Sequence, residues 1–236
     1  MEFGPATPST LFVAFADPPA ARDAEFNEWY DTVHGPDALA NGSFVAMHRF
    51  RAVGDGHRAA PYLALWEGRF ESEAEAWGYI GPRAQALREA GRAGDIASVR
   101  FALMTFRAAT PRGSQCEPVQ ALTTVQNDWR DVTGAADAQS WWDASGLEAI
   151  DAPARWLVTS DPAGRGAGYH LAVFAHAEPV ADLPPLPTSL TPGTSPLPPY
   201  ETIFGATAGD DADDAPAPDP APAWAMRWEP ITSMRA

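Results

Sequence analysis

The strongest constraint on this fold is the order in which the hydrophobic period changes along the first 110 residues. Leu11 to Ala16 is a continuous apolar run of strand length. From Arg22 to Ala40 the spacing becomes helical, with Phe26, Trp29, Tyr30 and Val33 at i, i+3, i+4 and i+7. Asn41-Gly42-Ser43 ends that region with turn chemistry. Phe44 to Arg51 alternates, and the alternation puts Phe44, Ala46, His48 and Phe50 on one face and Arg49 on the other. Tyr62 to Glu67 reads as a strand, Glu71 to Ala90 as a second helix disturbed at Gly81-Pro82, and Ser98 to Arg107 as a closing strand. The sum is β-α-β-β-α-β, a split βαβ plan with both helices on one face of an antiparallel sheet. The other face is apolar and needs a cover.

The second half repeats this order in damaged form. Strands are expected at Val119–Gln126, Arg155–Ser160, Tyr169–His176 and Trp224–Ile231, with a helix over Asp137–Ile150 that carries Trp141-Trp142. No second helix follows. In its place residues 178–200 form a Pro-rich belt that must be extended, and residues 207–222 an acidic Pro/Ala-rich loop. The fold class expected is therefore α+β. Two tandem ferredoxin-like units, 1–110 and 118–236, would pack sheet to sheet, face to face, as an intrachain barrel with the second unit degenerate.

Charge narrows the partners. Thirty-one acidic residues oppose sixteen basic ones, for a formal charge of −15. Such a surface repels phosphate backbones and anionic lipid, so neither nucleic acid nor membrane partners are expected. The chain has no Lys, which excludes Schiff-base and Walker-type lysine chemistry. Its one cysteine, Cys116, excludes internal disulfides and multi-thiolate metal sites. No targeting segment or membrane span is read, and a cytoplasmic location is expected.

The run Phe26-Asn27-Glu28-Trp29-Tyr30-Asp31-Thr32-Val33-His34-Gly35-Pro36-Asp37 resembles the first helix of the EthD-like branch of the dimeric α/β-barrel superfamily. A Trp-Tyr pair before a His-x-Pro turn carries the likeness, together with Asn41-Gly42-Ser43-Phe44, Ala46, Arg49 and Phe50. The resemblance covers about the first 110 residues; the second half has no copy of the His-x-Pro turn. It implies a cavity between helices and sheet, and a superfamily that hosts cyclisation, dehydration, isomerisation, cofactor-free anthrone oxidation and haem-dependent reactions.

His34 is the leading candidate for chemistry. Gly35-Pro36 is expected to break the helix and leave the imidazole at its end, where it suits proton transfer. Asp31, three residues earlier, would orient the ring, with Asp37 as the competing carboxylate. Tyr30 would donate its phenol to an oxyanion. The rival reading makes His34 a C-terminal cap interacting with the helix dipole. Trp29, His48, Tyr62, Trp66 and Phe12 are expected to shape a flat apolar pocket, against a plainer reading of most of them as core. Arg49 reads as a structural ion-pair partner. His170 and His176 stand about 20 Å apart by strand rise and cannot share a metal. No metal and no cofactor is expected; axial haem ligation by His34 alone is the minor alternative.

These readings combine into a cofactor-independent enzyme doing proton-transfer chemistry on an apolar aromatic or polyketide-like molecule. The alternatives are a cofactor-free monooxygenase on an anthrone-like ring and a non-catalytic ligand carrier. A pseudo-dimeric monomer and a homodimer are both consistent with the sequence.

Overall fold

The computed structural model describes residues 10–53, 61–92, 100–113, 119–127, 146–152, 154–160, 169–180, 191–192 and 222–236. It is α+β, with a curled, almost wholly antiparallel sheet. The strands are β1 (Thr10–Asp17), β2 (Ala46–Ala52), β3 (Tyr62–Gly68), β4 (Arg100–Gly113), β5 (Ala121–Asn127), β6 (Ala154–Ser160), β7 (Tyr169–His176), β8 (Thr191–Pro192) and β9 (Pro222–Arg235). Helices α1 (Asp23–Trp29) and α2 (Gly35–Ala40) are joined by a π turn over Tyr30–His34, and α3 spans Glu73–Glu89.

Strand order explains the two longest elements. The first half runs β2-β3-β1-β4 in space, the second β6-β7-β5-β9. β4 pairs with β1 through Arg107 and then with β6 from Arg107 to Gly113. β9 pairs with β5 through Trp228 and then with β2 from Trp228 to Arg235. Each strand is fourteen residues long because it serves two partners in succession. That is why β4 outruns the expected end at Arg107 and β9 the expected end at Ile231. The pairing also corrects the expected packing. The two halves join edge to edge and close a barrel, rather than stacking as separate sheets, and closure leaves no unpaired edge in the eight-stranded ring.

The barrel interior takes one set of alternate side chains. Leu11, Val13, Phe15, Phe50, Leu63, Leu65, Leu122 and Val173 are all at most 2% exposed. Phe15 and the fully buried Trp228 meet across the interior at 5.9 Å, although β1 and β9 are not neighbours. The indole N–H of Trp228 donates to Thr124 Oγ1 at 2.9 Å, so its one polar atom is satisfied.

The outer face of the first half carries the helices. Phe12, Ala14, Ala16, Met47, Tyr62, Ala64 and Trp66 pack there against Phe26, Tyr30, Ala38, Leu39 and Ile80. Ser72 caps α3 by accepting from the Glu75 N–H at 3.1 Å. Pro82 lies inside α3 without ending it. In the second half the last residues of the expected 137–150 helix form no α-helix. Gly146 takes φ +66° and Leu147–Ala149 make one 3-10 turn. Residues 128–145, with Trp141-Trp142, lie outside the described residues, as do most of the Pro-rich belt, nearly all of the acidic loop, Cys116 and His57. Among the described residues no helix is long and apolar enough to cross a membrane.

Trp228 is the plug that lets the two halves share one core. Trp228→Ala should cost about 3–5 kcal/mol of unfolding free energy, from lost transfer and an unfilled cavity. Urea midpoints of the two proteins check this, and an unchanged midpoint would refute the shared core.

Candidate active site

The helix carrying His34 does not break where Gly-Pro stands. Gly35 is right-handed helical, φ −59° and ψ −58°, and its N–H donates to the Tyr30 carbonyl five residues back. Pro36 has no N–H and its ring crowds the carbonyl four residues earlier. Widening one turn to π geometry removes that clash while the helix continues to Ala40. Space, not dihedral freedom, explains the glycine. A Cβ at Gly35 would lie 3.0 Å from the Tyr30 carbonyl oxygen, 3.1 Å from Met47 Cε and 3.2 Å from Met234 Sδ. The helix therefore sits tightly on the seam between β2 and β9.

The π turn decides what His34 touches. Its imidazole stacks on the Trp29 indole at 4.7 Å and 13°, meets Trp66 edge-on at 5.3 Å and Tyr30 edge-on at 4.9 Å. The ring is half-buried, and among the described residues no side chain hydrogen-bonds either nitrogen. Burial pushes its pKa down to about 4, only partly opposed by the Asp37 carboxylate, with the Arg49 cation adding to the fall. The imidazole is thus neutral over the ordinary pH range. Tyr30 is buried, and desolvation raises its pKa to about 12 against the opposing pull of Arg49. Its hydroxyl oxygen accepts from the Trp66 N–H at 3.2 Å, which leaves the Tyr30 O–H as a donor.

Asp31 does not orient His34. Its Oδ1 accepts from Arg49 Nη1 at 2.6 Å and its Oδ2 from the Thr232 hydroxyl at 3.3 Å. The widened turn alters the three-residue spacing that would have brought Asp31 under the imidazole. Arg49 is the residue whose reach the sequence understated. It is 1% exposed, donates to Asn27 Oδ1 at 2.6 Å, and lays its guanidinium 4.4 Å from the Tyr30 ring centroid. An arginine on an aromatic strand beside an Asp-bearing helix was the available signal.

Trp29 is held from outside. Its indole N–H donates to the Arg92 carbonyl at 3.2 Å, and Arg92 Nη2 reaches Asp37 Oδ1 at 2.8 Å. The chain leaving α3 is thereby tied across α1 and α2 above His34. Tyr62 stands toward the start of α1, donating to Asp23 Oδ1 at 2.7 Å and accepting from Asn27. Phe12 packs on Phe44 and Trp77. Trp29, Tyr30, His34 and Trp66 thus form one cluster, with Tyr62 and Phe12 at its flanks.

His48 is elsewhere. It lies on the barrel-interior face of β2, opposite the helices, with Nε2 2.7 Å from Glu67 Oε1 and Nδ1 2.7 Å from Ser233 Oγ. It therefore cannot line a pocket with His34. Phe44 precedes β2 and turns the other way, onto Phe12 and Trp66, so it leaves the face that Ala46, His48 and Phe50 share. The Ser233 contact went unseen because Ser233 is 185 positions away in sequence, and the Glu67 contact because alternation alone does not fix the register of β3 against β2. Among the described residues no group of three or more His, Cys, Asp or Glu side chains is arranged to hold a metal.

No family model matches the chain, and no curated protein matches it. Two solved structures are similar over nearly the whole length. One is named "putative monooxygenase" from Lactobacillus acidophilus NCFM, with 10% identity, TM-score 0.45 and 96% of each chain covered. The other carries the same name, from Fusobacterium nucleatum subsp. nucleatum ATCC 25586, with 6% identity, TM-score 0.47, and 98% of this chain and 96% of that one covered. Likeness this distant says nothing about chemistry.

The displaced pKa of His34 makes stability depend on pH. The folded pKa lies near 4 and the ordinary value is 6.5. Between them the unfolded chain binds a proton that the folded chain refuses, so stability falls as pH drops through this window and is complete above it. The half-buried ring should contribute roughly 2 kcal/mol to the loss. In urea titrations at pH 4.5 and 7, His34→Phe should lose less stability on acidification than the wild type. Equal losses would show that burial does not hold the imidazole neutral.

Proposed function

We propose that the chain is a cofactor-independent enzyme of the EthD-like kind. It is built from two tandem ferredoxin-like units, the second degenerate, and it removes a proton from an apolar aromatic or polyketide-like molecule. The observation that carries the reading is the neutral His34 imidazole, stacked on Trp29 with no side-chain hydrogen-bond partner among the described residues. A base must be unprotonated before it acts, and one not committed to an acceptor has a lone pair to offer. Tyr30, kept protonated, donates to the oxygen on which the substrate's negative charge collects. Trp29 and Trp66 offer flat apolar faces to a ring. Tyr62 and Phe12 flank them. Asp31 acts as a positioning residue, through Arg49 and the Tyr30 ring beneath it.

The anion so formed has two fates. Rearrangement gives cyclisation, dehydration or isomerisation. Trapping by dioxygen gives monooxygenation of an anthrone-like ring. Anthrone serves as the probe for both. In deuterated buffer without oxygen, the protein should accelerate exchange of the anthrone methylene protons, read by proton NMR. His34→Gln should slow that exchange about 100-fold or more, and the wild-type rate should fall on acidification only near pH 4. Admitting oxygen then separates the fates: uptake matched to anthrone loss marks the monooxygenase. Anthrone that binds yet exchanges no faster than in buffer would mark a carrier. Exchange that survives His34→Gln would remove His34 as the base.

A further inference from the structure

On the other face of the same sheet lies an arrangement that the His34 chemistry does not use. Glu67 on β3, His48 on β2 and Ser233 on β9 form a chain of two 2.7 Å hydrogen bonds. Glu67 is 2% exposed and His48 0%, while Ser233 is exposed. Adjacent strands fix the order: His48 pairs directly opposite Ser233 across the β2–β9 seam, and β3 lies on the other side of β2. With an ionised Glu67 and a neutral ring, the two hydrogen bonds have one self-consistent form. Nε2–H donates to the Glu67 carboxylate, which leaves the Nδ1 lone pair to accept from the Ser233 O–H. A buried carboxylate thus sets the tautomer, a buried imidazole faces the hydroxyl, and the hydroxyl is the member solvent reaches.

We propose that Ser233, His48 and Glu67 form a second reactive centre, a nucleophilic serine that cleaves small activated esters at the mouth of the barrel. Ser233 Oγ attacks the ester carbonyl carbon and its proton passes to His48 Nδ1, the imidazolium being held by Glu67. The C–O bond to the alcohol then breaks, and the leaving oxygen takes that proton. Water repeats the sequence on the acyl-serine: its proton goes to Nδ1, the acid departs, and Ser233 recovers its hydrogen. Nothing is oxidised or reduced and no cofactor enters. The centre stands apart from His34, because the sheet itself lies between them.

Diisopropyl fluorophosphate and p-nitrophenyl acetate are the probes, used on the full chain. The first should add one diisopropylphosphoryl group per molecule, with fluoride leaving, and peptide mapping should place it on Ser233. Ser233→Ala changes an exposed position and should fold normally by circular dichroism. It should take no adduct and lose on the order of 100-fold in esterase rate. It should keep the anthrone exchange that depends on His34. Glu67→Gln, which keeps the shape but not the charge, should slow labelling at least about tenfold. Should that variant fail to fold, wild-type labelling in deuterated buffer stands in for it, and must be slower than in ordinary water because the Ser233 proton moves in the step. A wild type that stays unmodified at Ser233, or a Ser233→Ala chain that hydrolyses the ester at the wild-type rate, overturns the proposal. Loss of anthrone exchange in Ser233→Ala would overturn the separation of the two centres.

Discussion

The pairing of β9 with β2 is the contact on which the rest of the molecule depends. It joins residues 46–52 to residues 228–235 and closes the barrel at one of its two seams. Both faces of the seam are used. On the outside Thr232 hydrogen-bonds Asp31 and Met234 packs close to Gly35, so the helix bearing His34 is seated on it. On the inside Ser233 meets His48, and Trp228 fills the barrel. A bulge lets one strand do all of this. The register shifts between Arg49 and Phe50, opposite Thr232 and Pro230, and the residue left over is the exposed Ile231. Trp228 and Ser233 are an odd number of residues apart, so a regular strand would turn one of them out of the barrel; the bulge at Ile231 lets both face inward.

The element order of the first half was legible because strand and helix periods differ and the turns between them carry their own chemistry. Asn41-Gly42-Ser43 shows it: Gly42 takes φ +76°, and the Asn41 side chain accepts from the Ser43 N–H at 2.9 Å. The lengths of β4 and β9 were not legible, since a strand extends for as long as it finds partners, and those partners lay in the other half. The same holds for the manner of packing. An apolar second face says that a cover exists, but not whether it arrives face to face or by sharing edges.

The candidate site divides along similar lines. The cluster of Trp29, Tyr30, His34 and Trp66 follows from helical spacing plus one opposing strand, both visible in the sequence. The Gly-Pro pair misled, because the rule that proline ends a helix assumes α geometry. One wider turn satisfies Pro36 and carries the helix on, and the same turn separates Asp31 from the imidazole. For β2 the alternation was sound, with Arg49 opposite His48, but alternation alone does not tell which face meets the helices. The cation of Arg49 went to the helix side, where Asp31 and three aromatic rings receive it.

β2 therefore works as a partition between two imidazoles in opposite circumstances. His34, on the helix side, is surrounded by rings. His48, one strand's thickness away in the barrel, is gripped at both nitrogens. A ring among aromatic faces loses the hydration that would stabilise its charged form, and the Asp37 carboxylate only partly makes this up, so it is kept as a free base. A ring between a carboxylate and a hydroxyl is fixed in orientation and tautomer, and its charged form would find a counter-charge already in place. The first environment suits removing a proton from an apolar molecule, the second relaying one from a hydroxyl. Both follow from where the chain puts Glu67 and Arg49. β3 sends its lone carboxylate inward and β2 its first guanidinium outward, and each is buried against a partner, Glu67 on His48 and Arg49 on Asp31.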